Sequence, residues 1–116
     1  MPIDSPYLFV AAMDVEAEKE ALFNEVYDTE HCPRLREVPG VISVVRFQVQ
    51  EFAMIIGGER RTVRVENEPK YVALYELESP EVLTGDAWAS AVDSGRWPEG
   101  VRPYTRNRRH ILLKRT

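Results

Sequence analysis

His31 is the residue of this sequence best suited to move a proton. It follows Tyr27 by four residues and Phe23 by eight, so the three side chains share one face of a helix. We expect that stripe to pack on a sheet, and the helix to break near Cys32 because Pro33 follows. A helix end beside a sheet forms a pocket rim, where an imidazole with a pKa near neutrality transfers protons at pH 7. A buried histidine bonded to a backbone carbonyl fits the same pattern.

Five further side chains could contact a ligand. Tyr27 could donate a hydrogen bond to a substrate oxygen, or pack in the core as an aromatic at helical spacing usually does. Asn24 could orient the ligand or lie exposed on the helix flank. Arg46, in an alternating strand, could bind a carboxylate through its forked guanidinium, or form a salt bridge at a subunit contact. Tyr75 and Trp88 could wall an apolar pocket or serve only in packing.

Signatures of metal and nucleotide sites are missing from the sequence. His31, His110 and the single cysteine, Cys32, lack metal-ligand spacing, so we expect no metal. No glycine-rich phosphate loop and no G-x-S-x-G nucleophile motif occurs. With one cysteine no internal disulfide can form, which indicates a reducing compartment. Because the start of the chain also lacks a basic leader, we expect a cytoplasmic protein.

Composition narrows the class of protein. The 116 residues suit a single domain, 1–116, and are 44% hydrophobic and 29% charged, as globular chains are. The net charge of -4 argues against nucleic acid as a partner, since backbone phosphates need a concentrated positive surface. The arginines between Arg102 and Arg109 are interpreted as part of a solvated terminal strand. No run approaches the roughly 20 apolar residues of a membrane helix.

The elements that must position these residues alternate between strand and helix patterns. Apolar or alternating runs predict strands, and stripes at helical spacing, with Ser79-Pro80 as a start signal, predict two helices. Gly57-Gly58 predicts a hairpin turn, and the segment from Gly95 to Pro103 is interpreted as a loop. The predicted strands cover 7–13, 41–52, 71–77 and 110–114, and the helices cover 16–31 and 80–92.

This order predicts an α+β fold of the ferredoxin-like βαββαβ type. Its four-stranded antiparallel sheet carries both helices on one face and a hairpin extension in the middle of the chain. The other sheet face is left bare and fairly apolar. Since a large bare apolar face usually marks an interface, we expect a homodimer through the open sheet face.

One segment resembles a known family. It reads F-N-E-V-Y-D-T-E-H-C-P from Phe23 to Pro33, followed by V-P-G at 38–40 and by a strand ending in Arg46-Phe47. EthD-like proteins of the dimeric α+β barrel superfamily commonly read F-N-E-W-Y-D-T-E-H-x-P, then V-P-G and a strand ending in R-F or R-Y. The segments 70–77 and 80–88 resemble the second half of that family, so the likeness covers most of the chain. It departs at Val26, where tryptophan is common, and in the hairpin around Gly57-Gly58.

The resemblance implies a ferredoxin-like monomer and a homodimer whose two sheets close into a barrel. It also implies a pocket between helix and sheet with His31 at its edge. Relatives include cofactor-free monooxygenases, isomerases, polyketide cyclases and decarboxylases, which implies small-molecule chemistry without a cofactor. The fold by itself does not determine the reaction.

Two functions stay open on this basis. In the first, a cofactor-independent lyase, isomerase or oxygenase acts on an aromatic or polyketide-like metabolite. His31 is its general acid/base, Tyr27 and Asn24 polarise a carbonyl or phenol, and Arg46 steers a carboxylate. In the second, the dimer is a non-catalytic accessory or ligand-binding protein of a catabolic or biosynthetic pathway.

Overall fold

Four antiparallel strands form the main sheet of the molecule. The computed structural model describes residues 3–116. The strands are β1 (Tyr7–Val15), β2 (Val41–Gln48), β3 (Phe52–Ile56), β4 (Glu59–Val63), β5 (Tyr71–Leu77) and β6 (Thr105–Lys114). The main sheet has the order β2–β5–β1–β6, and β3 pairs with β4 in a separate hairpin. The predicted ferredoxin-like sheet is confirmed.

The first helical region runs without a break from Ala17 to Arg36. It consists of a 3-10 turn (Ala17–Lys19), helix α1 (Glu20–Val26), a π-helical turn (Tyr27–His31) and helix α2 (Cys32–Arg36). The expected break near Cys32 does not occur, because the Cys32 N–H donates to the Tyr27 carbonyl across the wider π turn. A proline ring clashes with the carbonyl one α-helical turn back, and the widening directly before Pro33 lets the helix continue.

The second half of the chain is more helical than its sequence indicates. A 3-10 turn (Pro80–Thr84) leads into helix α3 (Asp86–Val92). The segment interpreted as a loop instead contains a π-helical turn (Trp97–Val101) and a 3-10 turn (Arg102–Tyr104) before β6. None of the helices formed by residues 3–116 is long and apolar enough to cross a membrane.

The two faces of the main sheet differ in burial. Alternate residues of β5 are buried beneath the helices, where Tyr75 and Leu77 pack with Phe23 and Val26 of α1. Period-two alternation sends the intervening residues to the opposite face. On that face lie the apolar side chains Val10, Val45, Phe47, Leu74, Ile111 and Leu113, which the strand register places together. Residues at its edges are the most exposed: Ile111 is 56% and Phe47 is 53% accessible.

The hairpin of β3 and β4 follows from its two glycines. Gly57 and Gly58 have φ values of 60° and 83°, and positive φ at both central residues defines the tight turn that suits two twisted strands. Every residue of β3 is exposed, including Phe52, Met54 and Ile56. The hairpin therefore contributes nothing to the buried core that positions the site.

Candidate functional site

A cavity of about 180 Å³ lies between the first helical region and the sheet. Aromatic rings form most of its wall, and basic side chains lie on its β6 side. The aromatic lining comprises Phe9, Tyr27, His31, Tyr75, Trp88 and Trp97, and the basic lining comprises Arg102, Arg108 and His110. Four of the six residues predicted for the site, Tyr27, His31, Tyr75 and Trp88, therefore line one cavity.

His31 is a buried residue of this cavity. Its side chain is only 5% exposed, and its Nδ1 has no hydrogen-bond partner among residues 3–116. Burial, reinforced by the positive charges of Arg102 and Arg34, lowers the pKa of His31 to about 4. The imidazole is therefore neutral at pH 7, with a ring nitrogen ready to bond to a ligand.

Two aromatic neighbours orient the His31 ring. The Trp97 indole stacks on it with ring centroids 4.1 Å apart and planes 16° apart, and the Tyr27 ring meets it edge-on at 5.1 Å. The π turn supplies both His31 and Tyr27, so one local distortion of the helix sets their relative placement. π turns of this kind are frequent at functional sites.

Glu30 connects the π turn to the segment that carries Trp97. Its carboxylate accepts a bond from the Arg96 backbone N–H at 2.9 Å and one from the Arg96 Nε at 2.5 Å. Gly95, with φ of 68°, lies against the same carboxylate, and a Cβ there would come within 2.5 Å of it. This close approach places Trp97 over His31.

The hydroxyls of Tyr27 and Tyr75 lie 3.4 Å apart in the buried wall of the cavity. Burial raises the pKa of Tyr27 to about 12 and also raises the pKa of Tyr75. Both phenols stay protonated at pH 7, so while one donates to the other, the second can donate a hydrogen bond to a ligand oxygen. The rings of Phe9, Tyr75 and Trp88 contact one another at 5.4 to 6.0 Å and close the apolar end.

Asn24 and Arg46, the other two predicted site residues, lie outside this cavity. They line a wider groove of about 410 Å³ with Asp28 and Tyr71. The Arg46 guanidinium donates to Asn24 Oδ1 at 2.7 Å and to Asp28 Oδ1 at 2.8 Å, and it lies 4.5 Å above the Tyr27 ring. Tyr27 therefore contributes to both the groove and the cavity: its ring packs against the Arg46 guanidinium, and its hydroxyl lies in the cavity wall.

Sequence reasoning missed Trp97, Arg102 and Arg108 as site residues. The segment around Trp97 has no helical or strand periodicity, and its Gly and Pro content is typical of a loop. The arginines were interpreted as solvated because nothing local shows which of them turns inward. A tryptophan among loop residues, in a chain with only two tryptophans, is the one signal that could have indicated Trp97.

Neither a nucleophilic cysteine nor a metal centre is found near the cavity. Burial raises the pKa of the Cys32 thiol to about 11, so the thiolate that would react is not formed at pH 7. Within residues 3–116 no three His, Cys, Asp or Glu side chains are grouped so that they could hold a metal ion.

The strand order, the helices on one face and the cavity between them define a ferredoxin-like α+β fold, which the chain shares with dimeric α+β barrel proteins, an EthD family protein among them. The structure of the haem degrader MhuD from Mycobacterium tuberculosis, with two haems bound in its active site, matches 96% of this chain and 96% of its own, with a TM-score of 0.56 and 15% identity. An ethyl tert-butyl ether D (EthD) family protein from Bacillus halodurans matches 95% of this chain and 99% of its own, with a TM-score of 0.57 and 13% identity.

A third similar structure is a single-residue variant of MhuD with two manganese protoporphyrin IX groups bound per active site. It covers 96% of this chain and 95% of its own, with a TM-score of 0.55 and 14% identity. At such identities the likeness is one of fold. No protein-family model matches the sequence, and no curated protein matches it.

Proposed function

We propose that this protein is a homodimer that binds a small aromatic molecule in the cavity beside His31 and transforms it without a cofactor. The observation that carries the proposal is His31, which lines an aromatic cavity while its buried Nδ1 lacks a partner within residues 3–116. Leaving a buried polar atom unpaired costs about 1–3 kcal/mol, a cost that a bound ligand removes. Such sites persist when they serve binding or chemistry.

The size of the cavity favours a single substituted ring. An apolar cavity of about 150 Å³ in another protein accommodates benzene, and this one measures about 180 Å³. A porphyrin, the kind of group held by the two MhuD structures, has four pyrrole rings and exceeds this volume. The proposal therefore uses the similarity to MhuD for the fold alone and does not extend to the ligand of MhuD.

The proposed chemistry is a proton transfer that begins a lyase, isomerase or oxygenase-type reaction. A proton leaves a phenol, or a carbon next to a carbonyl, and its bond to a His31 nitrogen forms as the bond to the substrate breaks. The Tyr27 hydroxyl donates to the oxygen on which negative charge develops. The imidazolium then returns the proton to the product, as the low pKa of His31 favours.

Asn24 and Arg46 act indirectly in this proposal, by positioning Tyr27. Asn24 holds the Arg46 guanidinium, and Arg46 lies over the Tyr27 ring, so the pair fixes the phenol that polarises the substrate. Tyr75 and Trp88 shape the apolar end that receives the aromatic ring.

The open face of the main sheet supports the homodimer. Val45, Phe47, Ile111 and Leu113 are each 47–56% exposed there, and a second copy of the same face would cover them. Glu76, the carboxylate of this face, already accepts hydrogen bonds from Ser5 and Ser43 and needs no partner from another chain. We place the dimer in the cytoplasm, in keeping with its single, buried and free cysteine.

A non-catalytic accessory role is the second candidate, and the low pKa of His31 favours it. A histidine whose conjugate acid has a pKa of about 4 is a weak base in the empty protein. In this role the same cavity holds a pathway metabolite and releases it unchanged.

The test is a thermal-shift screen of single-ring phenols, lactones and aromatic acids on the wild type and on His31→Phe. Phenylalanine keeps a ring against Trp97 and removes both nitrogens, so the variant isolates the hydrogen-bonding role. We expect at least one compound to raise the melting temperature of the wild type and not that of the variant. Each such compound is then incubated with the wild type and followed by chromatography for conversion.

The outcomes separate the candidates. Conversion by the wild type and none by His31→Phe supports the enzyme, whereas binding without conversion supports the accessory role. If no compound stabilises the folded wild type, or if His31→Phe binds equally well, the assignment of the cavity is wrong.

A further inference from the structure

We propose that the ligand of this cavity carries a negatively charged substituent on its ring, and that Arg108, with Arg102 beside it, binds that charge. The inference rests on the proposed function and narrows its substrate class to aromatic anions. It also assigns binding of the anion to Arg108 and Arg102 and not to Arg46, the residue that the sequence predicts and that lies outside this cavity.

The cavity lining has a one-sided charge. Arg102 and Arg108 contribute positive charges, and none of the residues that line the cavity is aspartate or glutamate. The whole chain, in contrast, has a net charge of -4. Positive groups beside apolar walls in an acidic protein concentrate anions and discriminate against cations.

Arg108 differs from the arginines around it. Arg102, Arg106 and Arg109 pair with Asp93, Glu16 and Glu68 at 2.6–3.1 Å. Arg108 forms no ion pair with any residue of the described range 3–116. Its guanidinium therefore keeps the full set of donors that binds a carboxylate in a bidentate manner.

Arg108 lies on the cavity side of β6, two residues before His110, which lines the same cavity, and a β-bulge is formed at this point of the strand. Ala12 of β1 pairs with Arg109 and Asp14 pairs with Arg106, so Asn107 and Arg108 together lie opposite the single residue Met13. Asn107 has a left-handed φ of 52°, the backbone conformation that such a bulge uses. The bulge interrupts the alternation before Arg108, so Arg106, which pairs with Asp14, lies on the sheet face opposite to that of Arg108 and His110.

Arg102 supplies a second positive charge at the rim. Its guanidinium is anchored by bonds to the Val92 carbonyl at 2.7 Å and to Asp93 Oδ1 at 2.8 Å. The Asp93 side chain is 64% exposed, so water screens this ion pair and leaves part of the positive field inside the cavity. That field contributes to the low pKa of His31, and Arg108 likewise lowers the pKa of His110.

An anion bound here would also improve His31 as a base. Its negative charge opposes the positive field that adds to burial in lowering the pKa of His31, and so favours protonation of the imidazole. Substrate binding and base strength are thereby linked: the neutral His31 of the empty protein gains basicity when the anionic ring arrives.

The test compares carboxylates with their neutral amides of nearly equal shape. Benzoate and salicylate, and benzamide and salicylamide, are titrated by calorimetry into the wild type, Arg108→Met and Arg106→Met. Arg106→Met removes the same charge from the same strand but only breaks the ion pair with Glu16, so it controls for general electrostatics. We expect the wild type to bind at least one carboxylate about tenfold or more tightly than its amide, and Arg108→Met to abolish that preference.

Each other outcome has a defined meaning. Equal binding of acid and amide overturns the charge assignment and leaves the proposed function intact. Equal weakening by Arg106→Met and Arg108→Met also overturns it, because the effect is then that of net charge. Binding of neither the acids nor the amides, in a folded protein, overturns both this inference and the choice of a single-ring ligand.

Discussion

The His31 imidazole stacks on the Trp97 indole with their ring centroids 4.1 Å apart. The contact joins two π-helical turns, Tyr27–His31 and Trp97–Val101, which lie in different halves of the chain. No residue of the described chain bonds to His31 Nδ1, so this stack and the edge of Tyr27 hold the ring in place. The orientation of the candidate acid/base therefore depends on a residue of a segment without sequence periodicity.

Trp97→Ala should lower the free energy of unfolding by about 3–5 kcal/mol, because the indole is 4% exposed and its loss leaves a large cavity. The variant should also lose the ligand specificity of the wild type, since His31 is no longer oriented. Chemical denaturation measures the first effect and the thermal-shift screen the second. Trp88→Ala is the control: Trp88 is only partly buried, so a stability loss equal to that of Trp97→Ala would contradict the central role of the stack.

Stability should fall as the pH is lowered from 6.5 toward 4. The unfolded chain takes up a proton on His31 below pH 6.5, whereas the folded protein does so only near its pKa of about 4. The contribution of the neutral, buried histidine is thus fully present above pH 6.5 and decreases by up to about 3 kcal/mol across this window. Urea unfolding at pH 7.0 and 5.0 measures the difference.

Two variants assign this pH effect to its source. His31→Phe has no titrating group at this position and should lose most of the pH dependence between 7.0 and 5.0. His110 has a lowered pKa as well, so His110→Gln is needed to subtract its share. A His31→Phe variant that keeps the full pH dependence would show that His31 is not held neutral.

Arg46→Met should destabilise the fold by about 1–3 kcal/mol, because it removes hydrogen bonds to Asn24 and Asp28 and a cation above the Tyr27 ring. Arg46→Lys should recover little of the stability that Arg46→Met loses, since a single ammonium group cannot reproduce the planar, forked guanidinium. Denaturation curves of both variants test this. Unchanged stability with weakened ligand binding would instead make Arg46 a direct ligand contact.

The homodimer makes a prediction about the open sheet face. Ile111→Glu and Val45→Glu each place a charge among the apolar side chains of that face, and both positions are exposed in the monomer. The variants should therefore fold normally and sediment as monomers, while the wild type sediments as a dimer. Ile55→Glu, on the separate hairpin, should leave the dimer intact. A monomeric wild type would contradict the proposed assembly.

The regular elements were predictable because their signals are local. The alternation in β5 and the Gly57-Gly58 turn depend only on neighbouring residues, and the structure confirms both. The continuous helix at Pro33 could not be predicted, because a proline usually ends a helix and the compensating π turn has no sequence signature of its own. The start of β6 at Thr105 was also missed, since its polar residues do not alternate with apolar ones.

The candidate site was predictable only where its residues share a helix face or an aromatic strand. Tyr27 and His31 are four residues apart, so their common position could be expected. Arg46 lies on the same sheet face but on a different strand from the cavity wall, and strand order is not encoded in spacing. Alternation from His110 places Arg108 on the cavity face, whereas the one-residue bulge before it moves Arg106 to the opposite face and has no sequence signature of its own.

The free-standing hairpin affects how the protein behaves in concentrated solution. The run Phe-Ala-Met-Ile-Ile of β3 is exposed over its whole length, and both strands of a two-stranded sheet present an unpaired edge to other molecules. The opposing strand β4 carries Arg60 beside an Arg61 that is paired with Glu59, which leaves a net positive charge, and like charges on neighbouring copies repel. At physiological ionic strength this repulsion is largely screened at distances beyond about 8 Å, and at higher ionic strength the screening distance is shorter. Colloidal stability should therefore decline with added salt, so light scattering should increase while the buried core stays folded.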